Sequence, residues 1–117
     1  MDKNILVVDN EKDILNVLQD VLGILGYSTE IVKNGQEALS IFQKDRFSLV
    51  ITDMVMPDID GLTLMKKIKE EDPSIPVVII TGFGSQMVDE AMQAGADGFI
   101  EKPFKIEDIK NMLSKTL

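Results

Sequence analysis

The chain has 117 residues, a length that fits one domain spanning residues 1–117. It contains no cysteine and no histidine, which excludes disulfides, zinc sites built from thiolates or imidazoles, and serine–histidine catalysis. A bound metal therefore has to be held by oxygen ligands, which favours Mg²⁺, Mn²⁺ or Ca²⁺. The net charge of −8, from 20 acidic and 12 basic residues, argues against direct binding of nucleic acid.

The sequence carries no targeting or membrane signal that we recognise. No apolar stretch approaches the roughly 20 residues needed to cross a bilayer. The N-terminus lacks a signal-peptide pattern, because Asp2 and Asn4 flank Lys3 and the apolar run that follows is too short. We therefore expect a cytoplasmic protein with no membrane partner.

Five short runs rich in valine and isoleucine predict β-strands. Several of them, such as Ile5–Val8 and Val77–Ile80, are continuously apolar, which is typical of parallel strands covered on both faces. In chain order the predicted strands are Ile5–Val8, Thr29–Val32, Leu49–Thr52, Val77–Ile80 and Phe99–Ile100.

Segments with helical spacing of apolar residues follow each predicted strand. The first ends before Gly26 and the fourth ends at Gly95, where glycine is a favourable C-cap. The third begins near Asp60, a good N-cap residue. The segment Lys33–Gly35 reads as a plain turn after the second strand. The predicted helical faces are Ile14, Leu18, Val21, Leu22 and Leu25; Ala38, Leu39, Ile41 and Phe42; Leu64, Met65 and Ile68; Met87, Val88, Ala91 and Met92; Ile106, Ile109, Met112 and Leu113.

Alternating strands and helices predict an α/β fold with a doubly wound parallel sheet and helices on both faces. Parallel strands joined by helices use right-handed crossovers. A flavodoxin-like sheet of five strands in the order 2-1-3-4-5, with five helices, is the obvious candidate, although periodicity alone does not fix that order.

Ligands of open parallel sheets bind beyond the carboxyl ends of the strands. Residues suited to chemistry stand at those ends in four of the five predicted strands. They are Asp9, Asn10 and Glu11 after the first, Asp53 after the third, Thr81 after the fourth, and Lys102 with Pro103 after the fifth. We expect these groups to converge at one rim of the sheet.

The set makes chemical sense as a site that accepts a phosphoryl group on Asp53. A divalent cation would offset the repulsion between this carboxylate and an incoming phosphodonor. The ammonium group of Lys102 and the hydroxyl of Thr81 would bind other phosphoryl oxygens, since phosphoryl transfer mainly requires positioning and charge stabilisation. A carboxylate nucleophile is already ionised and needs no general base, in keeping with a chain that lacks histidine.

Each residue also has an ordinary structural interpretation when taken alone. The acidic residues could be helix caps, Thr81 a strand-end hydroxyl, Lys102 a surface lysine and Phe99 a core aromatic. Competing motifs fail: there is no P-loop, and a calcium loop containing Asp58–Gly61 would have Met56 at its first ligand position and Lys67 at its last. The coincidence of suitable groups at several strand ends favours the functional interpretation.

The whole chain resembles the receiver domain of two-component response regulators, and in particular the single-domain receivers of chemotaxis type. The segments that carry the resemblance are Ile5–Glu11, Ile51–Gly61, Ile80–Gly82 and Gly98–Phe104. The run from Asp53 through Met56 and Pro57 to Gly61, and the run Lys102-Pro103-Phe104, are each highly specific.

The resemblance implies a role for each matching position in a Mg²⁺-dependent reaction, with Mn²⁺ as an alternative cation. Asp53 would be the phosphoacceptor and Phe99 the aromatic switch residue. Lys102 and Thr81 would contact the phosphoryl group. The expected metal ligands are Asp9 through water, the side chain of Asn10, Asp53 and the carbonyl of Val55, and Glu11, Gly82 and Pro103 are accessory residues.

The resemblance also implies partners. The phosphoryl group would come from the phosphohistidine of a sensor histidine kinase or from a phosphotransfer protein. A downstream target or output domain would contact the face built from the fourth helix, the fifth strand and the fifth helix, where dimerisation is also an open alternative. The chain would then be a signalling module with only intrinsic self-phosphorylation and autodephosphorylation, and not an enzyme acting on other substrates.

One departure from the family pattern is Asn10, where most members have aspartate. The loss of one negative charge predicts weaker Mg²⁺ binding, and it keeps open a second interpretation, an adaptor that signals without phosphorylation. A third interpretation is a Mg²⁺-dependent phosphatase or phosphotransferase for small molecules, which would need a substrate pocket or cap domain. Gly82 beside Thr81 should leave the site open to the side chains of a partner.

Overall fold

The computed structural model describes residues 3–82 and 86–117, in which strands and helices alternate along the chain. The strands are β1 (Asn4–Val8), β2 (Ser28–Val32), β3 (Leu49–Asp53), β4 (Val77–Gly82) and β5 (Gly98–Lys102). The helices are α1 (Lys12–Ile24), α2 (Gly35–Ile41), α3 (Gly61–Glu71), α4 (Met87–Gln93) and α5 (Ile106–Thr116). None of these helices has both the length and the apolar character needed to cross a membrane.

All neighbouring strands pair in parallel, and the order across the sheet is β2-β1-β3-β4-β5. This confirms the predicted flavodoxin-like arrangement. The chain moves outward from β1 to β2 and then returns past β1 to β3, so the direction of winding reverses between β1 and β3. The carboxyl ends of these two strands therefore stand side by side at the point where open α/β sheets bind their ligands.

The core forms two layers because successive strand residues point to opposite faces of the sheet. Leu6, Val8 and Val50 belong to one buried cluster, which α2, α3 and α4 cover. Ile5 and Val7 belong to the other, which α1 and α5 cover. Full burial of one such side chain stabilises the fold by about 1.5–3 kcal/mol. The predicted placement of helices on both faces is confirmed.

Three of the strands extend beyond the apolar pattern at their carboxyl ends. Asp53 pairs with Ile80, which makes it the last residue of β3. Thr81 and Lys102 likewise lie inside β4 and β5, where Thr81 pairs with Glu101. The prediction that these three residues stand at the carboxyl ends of their strands is confirmed, and they are themselves strand residues because hydrogen bonding in a ladder depends on the neighbouring strand. The sheet itself therefore holds their backbones.

The helix boundaries follow local capping chemistry. The Asp60 side chain accepts a hydrogen bond from the backbone N–H of Thr63 at 2.7 Å, which confirms it as the N-cap of α3. Gly26 and Gly95 have φ values of 95° and 112°, as the predicted glycine ends of α1 and α4 require. The predicted turn at 33–35 is confined to residues 33 and 34, because the Asn34 side chain caps α2 and the helix begins at Gly35.

The loop between β3 and α3 is fastened to the first turn of α2. The carboxylate of Asp58 accepts hydrogen bonds from the backbone N–H groups of Gly35, at 3.2 Å, and Gln36, at 2.8 Å. These N–H groups have no partner inside the helix, so Asp58 completes the cap that Asn34 begins. Ile59 packs against Gly35, where a Cβ would lie 3.0 Å from the Ile59 Cβ. Sequence reasoning gave Asp58 no such role.

Replacement of Asp58 with alanine is expected to lower the free energy of unfolding by about 1 kcal/mol, the usual cost of losing a cap. Burial is the largest single influence on Asp58 and opposes its ionisation, but the backbone N–H groups of Gln36, Ile59 and Gly35 together outweigh it and lower its pKa. Because the pKa of Asp58 is lowered, this stabilisation is fully present at pH values above the ordinary pKa of 3.8. The stabilisation is lost as the pH falls through the folded-state pKa.

Urea unfolding at neutral pH measures this cost. The control is Asp20→Ala, which removes an exposed carboxylate from the middle of α1 and should not lower the free energy of unfolding. Equal losses in the two variants would contradict a capping role for Asp58.

Candidate functional site

Two aspartates and a glutamate meet at the carboxyl end of the sheet. Asp9 follows β1, Asp53 ends β3, and Glu11 is the N-cap residue of α1. One carboxylate oxygen from each lies within 4.8 Å of the others. Asp9 is fully buried and Asp53 is 8% exposed, whereas Glu11 reaches the cluster from the surface. The predicted convergence of Asp9 and Asp53 is therefore observed, with Glu11 as a third member.

Lys102, at the end of β5, places its ammonium group among these three carboxylates. Its Nζ lies 3.2 Å from Oε1 of Glu11, 3.3 Å from Oδ2 of Asp9 and 3.6 Å from Oδ2 of Asp53. Only the contact with Glu11 has hydrogen-bond geometry. The side chain of Lys102 is 21% exposed, which is not the solvated surface lysine of the ordinary interpretation. One positive charge thus balances part of three negative charges.

The titration behaviour of the cluster follows from its burial. Burial raises the pKa of Asp9, against the opposing effects of the Glu11 backbone N–H and Lys102. Burial also raises the pKa of Asp53, and the negative charge of Asp9 adds to that effect. Burial lowers the pKa of Lys102, but the charges of Asp9 and Asp53 outweigh it and produce a net rise. The fold therefore favours proton binding to Asp9 and Asp53.

The cluster offers ligands that suit a hard divalent cation. Oδ1 of Asp9 accepts a hydrogen bond from the Glu11 backbone N–H at 2.9 Å. Oδ2 of Asp9 is buried and has no hydrogen-bond partner among the described residues, although it forms an ion pair with Lys102. A buried carboxylate oxygen without a donor is costly unless a cation satisfies it. Carboxylate oxygens are the preferred ligands of Mg²⁺, so these residues fit that ion.

Thr81 lies beside the acidic cluster on the neighbouring strand. It follows Ile80, the residue that pairs with Asp53, and it is 2% exposed. Its hydroxyl oxygen is buried and makes no hydrogen bond within the described part of the chain. Such an unsatisfied hydroxyl is free to bond an oxygen that arrives next to Asp53.

Two further expected metal ligands stand at the surface around the cluster. Asn10 is exposed and lies in the sequence between Asp9, which is buried, and Glu11, which is exposed. Val55 is 61% exposed and lies in the loop that follows β3. Asn10 directly follows Asp9 in the sequence, and Val55 lies two residues after Asp53, whose carboxylate accepts a hydrogen bond from the Val55 backbone N–H.

Phe99 lies apart from the acidic cluster. It is 42% exposed, three residues before Lys102, and is therefore not the core aromatic of the ordinary interpretation. It lines a groove of about 540 Å³ between α4, β5 and α5, together with Met92 and Met112. Gly82 and Pro103 are exposed at the ends of β4 and β5, and the Lys102–Pro103 peptide bond is cis.

Gly61 lets the start of α3 lie directly against the end of β3. A Cβ at this position would clash with the carbonyl oxygen of Asp53 and would lie 2.9 Å from the Cα of Met54. The backbone N–H of Gly61 donates to the carbonyl oxygen of Met54 at 2.8 Å. The glycine of the specific run Asp53–Gly61 is thus explained by close approach of two backbones at the site, a reason that the sequence did not reveal.

The chain is similar to known proteins over nearly its whole length. A family model described as the response regulator receiver domain matches residues 5–114. Sporulation initiation phosphotransferase F of Bacillus subtilis is 37% identical over 118 residues, which cover 100% of this chain and 95% of that protein. The probable transcriptional regulator ycf27 of Porphyra purpurea is 34% identical over 98% of this chain, which spans only 47% of that protein.

Solved structures show the same fold. Chemotaxis protein CheY4 of Vibrio cholerae superposes with a TM-score of 0.91 at 28% identity, with 100% of both chains covered. Sequence and structure comparisons therefore point to one family of domains.

Replacement of Asp9 with asparagine is expected to raise the thermal unfolding midpoint when divalent cations are chelated. Because the folded-state pKa of Asp9 lies above its ordinary value of 3.8, stability falls as the pH rises through that interval. Asparagine has no charge and so does not cause this loss of stability, and its side-chain oxygen can still accept the hydrogen bond from the Glu11 backbone N–H. The gain should be larger at about pH 7 than at about pH 4, where wild-type Asp9 is partly protonated.

Differential scanning calorimetry at both pH values checks the Asp9 prediction. Asp20→Asn removes the same charge from an exposed position on α1 and should show no such pH dependence. An Asp9→Asn midpoint equal to or below that of the wild type at neutral pH would contradict the electrostatic cost assigned to this carboxylate.

Replacement of Gly61 with alanine is expected to destabilise the domain by about 1–3 kcal/mol, because the added Cβ forces two backbones apart. The matched control is Gly23→Ala in α1, where a Cβ meets nothing within 4 Å and alanine should stabilise the helix. Chemical unfolding of both variants measures the difference. A Gly61→Ala variant as stable as Gly23→Ala would show that the close approach is unimportant.

Proposed function

Because the chain belongs to the response regulator receiver family, whose members act in two-component phosphorelay signalling, we propose that Asp53 is its phosphoacceptor. The observation that supports this most directly is the position of the Asp53 carboxylate beside Lys102 and the acidic cluster at the carboxyl end of the sheet. Among the described residues, Asp53 is the cluster member at the end of the central strand β3, next to the unsatisfied hydroxyl of Thr81.

The transfer is a single displacement at phosphorus. An oxygen of Asp53 forms a bond to phosphorus while the bond from phosphorus to an imidazole nitrogen of the kinase phosphohistidine breaks. The imidazole leaves with the electron pair of that bond. Burial and the charge of Asp9 raise the pKa of Asp53, which makes its ionised carboxylate a better nucleophile. No proton has to be removed from this nucleophile by a base.

The surrounding residues hold the phosphoryl group in place. Lys102 is already 3.6 Å from Asp53 and would pair with one phosphoryl oxygen, while Thr81 would donate its hydroxyl to another. A Mg²⁺ ion, or Mn²⁺ in its place, would offset the repulsion between the carboxylates and the arriving phosphoryl oxygens. The residues that would hold it are Asp9, Asn10, Asp53 and the carbonyl of Val55, with Glu11, Gly82 and Pro103 around them.

The signal leaves the domain through a shift between two conformations. Phosphorylation favours the conformation in which Thr81 and Lys102 bind the phosphoryl group, and no shift occurs without such differential contacts. Movement of Thr81 makes room for Phe99 to turn inward, which changes the lining of the groove between α4, β5 and α5. This groove is the contact surface that we propose for a target, an output domain or a second copy.

We also propose that the chain acts as one receiver domain over residues 1–117, in the cytoplasm, and receives its phosphoryl group from a sensor histidine kinase or phosphotransfer protein. It turns over no other substrate, apart from its own phosphorylation and dephosphorylation. The net charge of −8 opposes direct contact with nucleic acid.

Incubation with Mg²⁺ and a small phosphodonor such as acetyl phosphate tests the acceptor. Wild-type protein is expected to gain one phosphoryl group, seen by intact mass or a phosphate-affinity gel, and the gain should vanish with EDTA. Asp53→Asn should take up none. Asp13→Asn, which removes an exposed carboxylate from the first turn of α1, should behave like the wild type.

Uptake by Asp53→Asn equal to that of the wild type would reject Asp53 as the acceptor. Absence of uptake by the wild type at saturating Mg²⁺ would instead favour an adaptor that signals without phosphorylation.

A further inference from the structure

Asn10 leaves the proposed cation site one negative charge short of the pattern expected for this family. Its side chain is neutral and exposed. Without another carboxylate, Asp9 and Asp53 would face the positive charge of Lys102, and the three groups together would carry a formal charge of only −1. A weakly charged site binds divalent cations less tightly, because ligand charge is one determinant of affinity.

Glu11 adds the missing charge from the next position along the chain. Its Oε1 lies 3.2 Å from Nζ of Lys102, and one of its carboxylate oxygens lies within 4.8 Å of oxygens from Asp9 and Asp53. With Glu11 included, the formal charge of the four groups is −2, which matches a divalent cation.

Two observations indicate that the position of Glu11 at the site is fixed by the structure. The backbone N–H of Glu11 donates to Oδ1 of Asp9 at 2.9 Å, so its main chain is fixed to the buried carboxylate of the cluster. The other oxygen of Asp9, Oδ2, is fully buried and has no hydrogen-bond partner among the described residues. The cluster therefore contains an additional charge beside a buried carboxylate oxygen that pairs with Lys102 but accepts no hydrogen bond from the described residues.

The side chain of Glu11 plays no other part that the structure reveals. It is the N-cap residue of α1, yet its side chain makes no capping hydrogen bond. Its recorded side-chain contact is instead with Lys102, 91 residues away. The side chain of Glu11 thus contacts the ion cluster and not the nearby helix N–H groups. We infer that the charge of Lys102 determines this orientation.

We propose that Glu11 supplies the cation-site carboxylate that Asn10 lacks, either by binding the ion directly or through a bound water. This inference rests on the Mg²⁺ site of the proposed function and names the residue that sets its affinity. It also replaces the simple expectation from Asn10 alone, in which this chain binds Mg²⁺ weakly.

A titration of ¹⁵N-labelled protein with MgCl₂, followed by NMR without any phosphodonor, measures the dissociation constant directly. Glu11→Gln keeps the size of the side chain and removes its charge. It is expected to weaken Mg²⁺ binding by about tenfold, as the loss of a ligand-supporting carboxylate usually does. Asp20→Asn removes an equal charge from an exposed position on α1 and should leave the constant within about twofold of wild type.

A double variant tests whether charge is what Glu11 contributes. Adding Asn10→Asp to Glu11→Gln moves the carboxylate one position back along the chain and should restore most of the lost affinity. A Glu11→Gln constant equal to that of Asp20→Asn would overturn the proposal. So would a double variant that binds no more tightly than Glu11→Gln alone.

The outcome is separable from that of the proposed phosphorylation. If Asp53 is not the acceptor, the Mg²⁺ constants of these variants are unaffected and still decide the role of Glu11. If the wild type shows no Mg²⁺-dependent shifts at all, the cation site is absent and the inference about Glu11 is overturned with it.

Discussion

Three carboxylates that share one ammonium group form the interaction on which the rest of this structure depends. Asp9, Asp53 and Glu11 surround Nζ of Lys102, and the two aspartates are removed from water. Such a cluster is costly to bury, since the attraction of one cation does not repay the desolvation of several charges. The same imbalance gives the site its use, because binding of a cation or of a proton by these carboxylates lowers the cost.

The sheet offsets that cost and keeps the groups in register. All five residues of β3, including Asp53, are buried between the two apolar clusters of the core. Asp53 and Thr81 lie within paired strands, so the hydrogen bonds between the strands fix the positions of their backbones. A reactive carboxylate on a strand end is positioned more accurately than one on a free loop, which matters for a reaction that depends on placement.

The loop after β3 is the least regular part of the site and is held by contacts that local sequence patterns do not reveal. Asp58 bonds to the start of α2, 22 residues earlier in the chain at its closest contact, and Gly61 lies against the backbone of Asp53 and Met54. Both residues belong to the run that identifies the family. The structure thus gives physical reasons for positions that could otherwise be recognised only by resemblance.

The sequence by itself determined the alternation of strands and helices, most of the buried helix faces and the types of residue at the strand ends. The apolar spacing was wrong for Met87 and Met92 of α4 and for Ile106 of α5, which are exposed. These features are local, since they follow from apolar periodicity, from capping residues such as Asp60 and from side-chain chemistry such as that of Asp53. Only the tertiary structure decided where β3, β4 and β5 end, that Asn34 starts a helix with help from Asp58, and that Glu11 meets Lys102. Each of these depends on contacts between distant segments, 91 residues apart for Glu11 and Lys102, whose energies no local pattern contains.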